Sequence, residues 1–192
     1  MKLNRLLENI NYKGDISANT DIDMIAYDSR LVSNNTCFIA ITGERSNGHN
    51  FISKAIEKGA TVVVVDDSDF INQSQSIIKV DNTRIALSQI SANFFKNPSK
   101  SMNVIGVTGT NGKTSVNQII KSILDNFDNK CGALGTLGFI VNNDIINTGF
   151  TTPESLELQG MLKLLKDSDI NYVTLEVSSH SLSQNRVDNI DF

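Results

Sequence analysis

The stretch GVTGTNGKTS, Gly106 to Ser115, decides how the rest of this chain is read. An apolar run, NVIGV, enters it, and a helical pattern, KTSVNQIIKSILDNF, leaves it. Strand, glycine-rich turn and helix in that order gather backbone N–H groups at a helix N-terminus, where they converge on phosphate oxygens. Glycine supplies the positive φ angles and keeps side chains out of the way. The spacing departs from G-x-x-x-x-G-K-[ST], because Val107 stands where the first glycine is expected. The part the chemistry needs, Gly112-Lys113-Thr114 at the helix start, is intact. Gly109, Thr110, Asn111, Gly112, Lys113, Thr114 and Ser115 are therefore the expected nucleotide-binding residues. Lys113 offers a cation to the β- and γ-phosphates of ATP, and the Thr114 hydroxyl offers a ligand to Mg2+.

On both sides of the loop, strand-like and helix-like runs alternate, so the fold class is α/β. Downstream, CGALGTLGFIV predicts one or two strands, LELQGMLKLLKDS a helix, and YVTLEVSS (Tyr172–Ser179) a buried strand. The closing VDNIDF reads as the start of another strand, which makes residues 99–192 an incomplete, Rossmann-like parallel-sheet unit. Upstream, CFIAIT (Cys37–Thr42) and ATVVVVDD (Ala60–Asp67) are short buried strands. Between them a helix should present Phe51, Ile52, Ala55 and Ile56 on one face and stop at Gly59. TRIALSQISANFFKNP (Thr83–Pro98) predicts a helix with Ile85, Leu87, Ile90, Phe94 and Phe95 apolar, ended by Pro98. The boundary between a domain over 1–98 and one over 99–192 falls in NPSKS.

Bulk properties exclude several function classes. The 192 residues carry a net charge of -4 with no dense Lys/Arg run, which argues against nucleic acid as a partner. No apolar run approaches membrane-spanning length. Leu3, Leu6, Leu7 and Ile10 fall at helical spacing, so the N-terminus reads as an amphipathic helix rather than a signal peptide. Cys37 and Cys131 read as small buried hydrophobes of a cytoplasmic protein. A nucleotide switch of the GTPase kind is disfavoured, because no N-K-x-D run is present.

The spacing GVTGTNGKTS resembles the ATP loop of the Mur ligase family. DSRLVSNNTCFIAITGERSNGHNFISKAIEKGATVVVV resembles the N-terminal UDP-binding domain of that family, and GTLG, TTPE and LEVSSHSLSQNRV resemble its third ligase. The match runs from about Tyr27 to Phe192 in several independent motifs. It implies an ATP- and Mg2+-dependent ligase of peptidoglycan synthesis, acting on UDP-MurNAc-L-Ala-D-Glu through an acyl phosphate that a diamino acid then displaces. The diamino acid is L-lysine or meso-diaminopimelate. The implied protein is cytoplasmic and monomeric.

Carried over residue by residue, the resemblance implies that Ser29, Glu44, Arg45 and Ser46 contact the uridine nucleotide. It implies that Thr151, Thr152, Ser178, Gln184 and Arg186 contact the sugar-peptide substrate. Pro153 biases Thr151-Thr152 toward extended backbone, which should turn both hydroxyls outward. Glu176, at the end of a strand, is implied as a catalytic residue beside Lys113 and as a metal ligand beside Thr114. His49 is expected in a turn or helix cap, and His180 in a structural hydrogen bond rather than on a metal. The family's carbamylated lysine, a histidine ligand and a third domain have no counterpart in these 192 residues. The expectation is that this chain alone releases no ADP in response to both substrates. Two alternatives stay open: the fourth ligase of the family, and a non-catalytic binder of UDP-sugar or nucleotide.

Overall fold

A computed structural model describes residues 1–43, 46–70, 76–127, 129–142 and 144–192. The chain divides into two compact units, Met1–Phe94 and Phe95–Phe192.

The first unit runs α1 (Leu3–Leu6), β1 (Met24–Ala26), β2 (Thr36–Ile39), α2 (Ile52–Glu57), β3 (Ala60–Val65), β4 (Ile77–Lys79) and α3 (Thr83–Phe94). Its four strands pair in sequence order, all parallel. Every residue of β2 is buried, as is all of β3 except Thr61, which explains their unbroken apolar runs. The three-residue strands β1 and β4 carry no periodic signal of their own, and only their pairing reveals them. Ile52 and Ala55 enter the core, whereas Phe51 and Ile56 are exposed, so the helical face is narrower than the sequence suggests. Gly59 follows α2 with φ 99°, as a helix stop should.

The expected helix over 83–98 is shorter: α3 ends at Phe94, and Ile85 is exposed. Lys96 and Asn97 take left-handed φ of 63° and 48°, which breaks the helical path between Phe94 and Pro98. Phe95 belongs to the second unit, where its ring lies against Gly160, so the division falls at 94/95 rather than at 98/99.

The second unit runs β5 (Asn103–Val107), α4 (Lys113–Asn126), β6 (Cys131–Gly135), β7 (Gly138–Val141), β8 (Asp144–Ile146), α5 (Ser155–Asp167), β9 (Tyr172–Glu176) and α6 (Ser179–Ser183). The strand order is β5-β9-β6-β7-β8. The first three are parallel, and β7 and β8 extend the sheet as an antiparallel hairpin, so it is mixed rather than wholly parallel.

Two further expectations are corrected here. The strand over Tyr172–Ser179 stops at Glu176, because Ser178 caps α6 by accepting the Ser181 N–H. VDNIDF forms turns rather than a strand: Val187 and Ile190 drop into the core, Ile190 N–H donates to Val187 O, and the Phe192 ring lies over Gly106. The apolar spacing that suggested a strand is that of anchors in a turn.

Alternation along β9 sets the site. Val173 and Leu175 face a core shared with Leu158, Leu162 and Leu165 of α5. Thr174 and Glu176 point the other way, toward the face where α4 packs. Leu165 and Leu164 test this packing, since Leu165 is fully buried and Leu164 is half exposed. Leu165→Ala should destabilise the second unit by about 2–5 kcal/mol in urea unfolding followed by circular dichroism. Leu164→Ala should stay within about 0.5 kcal/mol of the parent.

Candidate active site

The glycine-rich loop leaves β5 at Val107 and ends at Gly112, the residue before α4. Gly109 and Gly112 take φ of 146° and 81°, conformations open to glycine and strained for other residues. Gly112 offers no side-chain cap, and the first helical bond runs from Val116 N–H to Gly112 O. The amides of Lys113, Thr114 and Ser115 thus stand outside the helical ladder at the positive end of a 14-residue helix. Lys113 Nζ donates to Gly109 O at 2.8 Å, which folds its ammonium back across the loop.

Opposite the loop stands Glu176, whose residue is 1% exposed. Strand pairing sets it there, because Glu176 is level with Val107, the residue from which the loop departs. Its Oε2 accepts the Thr114 hydroxyl at 3.0 Å and the Thr136 hydroxyl at 3.1 Å, and its Oε1 accepts the Thr136 N–H at 3.0 Å. Thr136 sits in the two-residue turn between β6 and β7. Gly135, just before it, leaves room for that carboxylate: a Cβ there would lie 2.1 Å from Glu176 Oε1, and the Glu176 side chain would have to shift. Thr110–Ser115, Thr136, Thr151, Glu176 and Ser178 line one cavity of about 420 Å3.

The substrate residues implied by the resemblance separate into those that face this cavity and those that build its wall. The Thr151 hydroxyl reaches Thr136 Oγ1 at 3.1 Å. Thr152 does not turn outward as expected. It is buried, its hydroxyl donates to Glu176 O at 2.8 Å and accepts the Ser178 N–H at 3.2 Å, because β9 passes directly beneath it. Arg186 forms an ion pair with Glu154, donates to Thr152 O at 2.8 Å and to Gln184 Oε1 at 2.5 Å. Gln184 and Arg186 therefore brace the Thr151–Glu154 segment. His180 is exposed on α6.

In the first unit a cavity of about 480 Å3 is lined by Tyr27, Asp28, Ser29, Arg30, Gly43, Ser46, Phe51 and Lys54 among others. The DSR segment lies in the irregular crossover between the parallel strands β1 and β2, and Ser29 is buried there. Arg30 donates to both oxygens of Asp28, which holds that carboxyl below the usual carboxylate range and raises the guanidinium. Ser46 is exposed on the opposite lip, where its carbonyl accepts the Gly43 N–H. Glu44 and Arg45 lie outside the described residues. His49 is buried in a 3-10 turn capped by Asn47, with Nδ1 2.8 Å from Asn47 Oδ1 and Nε2 3.2 Å from Asp66.

Sequence reasoning missed Thr136, Gly135 and Glu154. GTLG and TTPE contain all three, yet nothing in their spacing says that a turn amide and hydroxyl will seat a carboxylate forty residues away. The two cysteines are buried and free, and burial pushes their thiols up, to about 12 for Cys37 and about 11 for Cys131. Among the described residues no helix is long and apolar enough to cross a membrane.

Comparison with known proteins accounts for both units. A curated relative from Clostridioides difficile (strain 630), named UDP-N-acetylmuramoyl-L-alanyl-D-glutamate--2,6-diaminopimelate ligase, is 44% identical over 195 residues. That alignment covers all of this chain and 40% of the relative, so the chain spans about 40% of the length of the curated relatives it matches. A solved structure bearing the same enzyme name superposes over all of this chain and 39% of its own, with a TM-score of 0.84 at 23% identity. MurF ligase from Thermotoga maritima, solved in complex with ADP, covers 83% of this chain and 32% of its own, with a TM-score of 0.54 at 23% identity. At such identities these structures speak for the fold alone. The model described as Mur ligase family, catalytic domain matches residues 21–95, and the Mur ligase middle domain matches residues 107–192. The chain belongs to the Mur ligase family.

Proposed function

We propose that this chain supplies the UDP-sugar-binding domain and the first part of the ATP-binding domain of an ATP-dependent ligase. That ligase joins a diamino acid to UDP-MurNAc-L-Ala-D-Glu in the cytoplasm. The observation that carries the proposal is the single cavity in which the free amides of Lys113–Ser115, the Lys113 side chain and the Glu176 carboxylate meet. The relatives' names supply the substrate pair, with 2,6-diaminopimelate as the amine.

A free carboxylate is a poor electrophile, so the reaction has to convert it into a better one by phosphoryl transfer. Catalysis of such a transfer is mostly positioning and charge neutralisation. In this reading the loop amides orient the phosphate chain, and Lys113 leaves Gly109 O to meet the β- and γ-phosphates. Thr114 and Glu176 fit a divalent cation: a hydroxyl and a carboxylate are hard oxygen ligands, and they stand 3.0 Å apart facing one space. Among the described residues no cluster of three or more His, Cys, Asp or Glu could hold an ion alone, which suits a cation that shares its shell with phosphate and water. When bound, Mg2+ would neutralise charge that develops on the transferring phosphoryl group.

Thr151 and Ser178 open toward the same cavity and would meet the peptide end of the substrate, with Thr152, Gln184 and Arg186 holding their backbone. Ser29 and Ser46, with Lys54 supplying positive charge, would receive the uridine diphosphate in the first unit. Glu44 and Arg45 are assigned to the same role on the resemblance alone.

Calorimetric titration tests both sites. Lys113→Ala should weaken Mg·ATP binding by roughly ten- to hundredfold, the worth of one charge-assisted contact. Ser29→Ala should weaken UDP-MurNAc-L-Ala-D-Glu by about fivefold and leave ATP unaffected. A parent chain that fails to bind Mg·ATP would refute the proposal. Gly135→Ala should displace the Glu176 carboxylate and lower Mg·ATP affinity at least as much as Glu176→Gln does, in the same titration.

A further inference from the structure

We propose that Thr136 couples the cation side of this site to its substrate side: its one hydroxyl proton is shared between Glu176 and Thr151, so that binding at either end strengthens binding at the other. The inference rests on the ligase reading above, for the cation at Thr114 and Glu176 and for a substrate oxygen at Thr151.

The geometry is a chain of three groups. Thr136 Oγ1 lies 3.1 Å from Glu176 Oε2 and 3.1 Å from Thr151 Oγ1. A hydroxyl has a single hydrogen to give and can accept others, so Thr136 donates to one neighbour at a time. An ionised carboxylate is the stronger acceptor, so without a competing cation the proton goes to Glu176, and Thr151 then donates to Thr136. Glu176 and Thr114 would hold a divalent cation, and the Glu176 carboxylate, its charge then shared with the ion, would be the poorer acceptor for the Thr136 hydroxyl. Thr136 then turns its proton toward Thr151 Oγ1, and Thr151 turns its own into the cavity, where a substrate oxygen accepts it.

The reverse order gives the same coupling. A substrate oxygen that draws out the Thr151 hydrogen makes Thr151 an acceptor for Thr136. Glu176 then loses one donor and has more charge to offer a cation. Thermodynamic linkage requires the two effects to be equal.

Two features make Thr136 the switching element. Its N–H to Glu176 Oε1, at 3.0 Å, keeps the carboxylate seated whichever way the hydroxyl points. The neighbouring Thr152 hydroxyl cannot serve, because it is committed to Glu176 O and Ser178.

The test compares the affinity of the full chain for Mg2+ with a non-hydrolysable ATP analogue, with and without saturating UDP-MurNAc-L-Ala-D-Glu. The readout is the ratio of the two affinities, so a uniform loss in a variant cancels. The parent should show a ratio of about five- to tenfold, within the usual range of coupling between sites. Omitting Mg2+ should bring it close to one. Thr136→Val keeps the shape and the backbone N–H but removes the hydroxyl, and its ratio should also fall to about one. Thr136→Ser should restore the parental ratio. A Thr136→Val ratio equal to the parent's, or a Thr136→Ser ratio near one, overturns the relay. Nucleotide binding with a parental ratio of one overturns the relay and leaves the ligase reading intact; no nucleotide binding removes both.

Discussion

A carboxylate at the end of a buried strand is the constraint around which the second unit is arranged. Taking such a group out of water costs several kcal/mol unless hydrogen bonds replace the lost solvent. Glu176 is supplied from two directions, by the hydroxyl of Thr114 on α4 and by the amide and hydroxyl of Thr136 in the β6–β7 turn. Each donor fixes an element: Thr114 requires the glycine loop to deliver α4 in one register, and Thr136 requires the turn to follow Gly135 directly. The missing side chain of Gly135 contributes as well, since a Cβ there would push Oε1 from its present place.

The rest of the site divides between groups that face the cavity and groups that hold its wall. Lys113, Thr114, Thr151 and Ser178 line the space where phosphate and substrate oxygens would lie. Thr152, Gln184 and Arg186, with Glu154, are spent on one another and on backbone carbonyls. Removing one of the bracing residues would act on Thr151 and Glu176 through the backbone. A motif scan cannot draw that distinction, because both kinds of residue recur in the same short runs.

The first unit forms its cavity by a simpler route. A parallel sheet of short, buried strands needs crossovers, and the one between β1 and β2 is an irregular loop that sets Ser29 against the cavity wall. The Asp28–Arg30 pair tightens that loop, and Gly48 allows it a close opposing wall, since a Cβ there would meet the Ile41 backbone within 3 Å.

The sequence alone determined the alternation of strands and helices and the glycine-rich turn that delivers Lys113 and Thr114 at a helix start. All of these are local: a glycine turn, a helix start and an apolar run state their preferences within about fifteen residues. What lay beyond such a window needed the tertiary structure. The strands Met24–Ala26, Ile77–Lys79 and Asp144–Ile146 exist through pairing, being too short for periodicity to register. Helix α3 stops at Phe94 just before Phe95 is drawn into the second unit's packing, and VDNIDF turns because Val187 and Ile190 find places in the core. Thr136 acquired its role only when β6 came to lie beside β9, and Thr152 turned inward because a strand runs beneath it. Hydrogen bonds between residues many positions apart leave no trace in sequence spacing, and the seating of Glu176 is built almost wholly from such bonds.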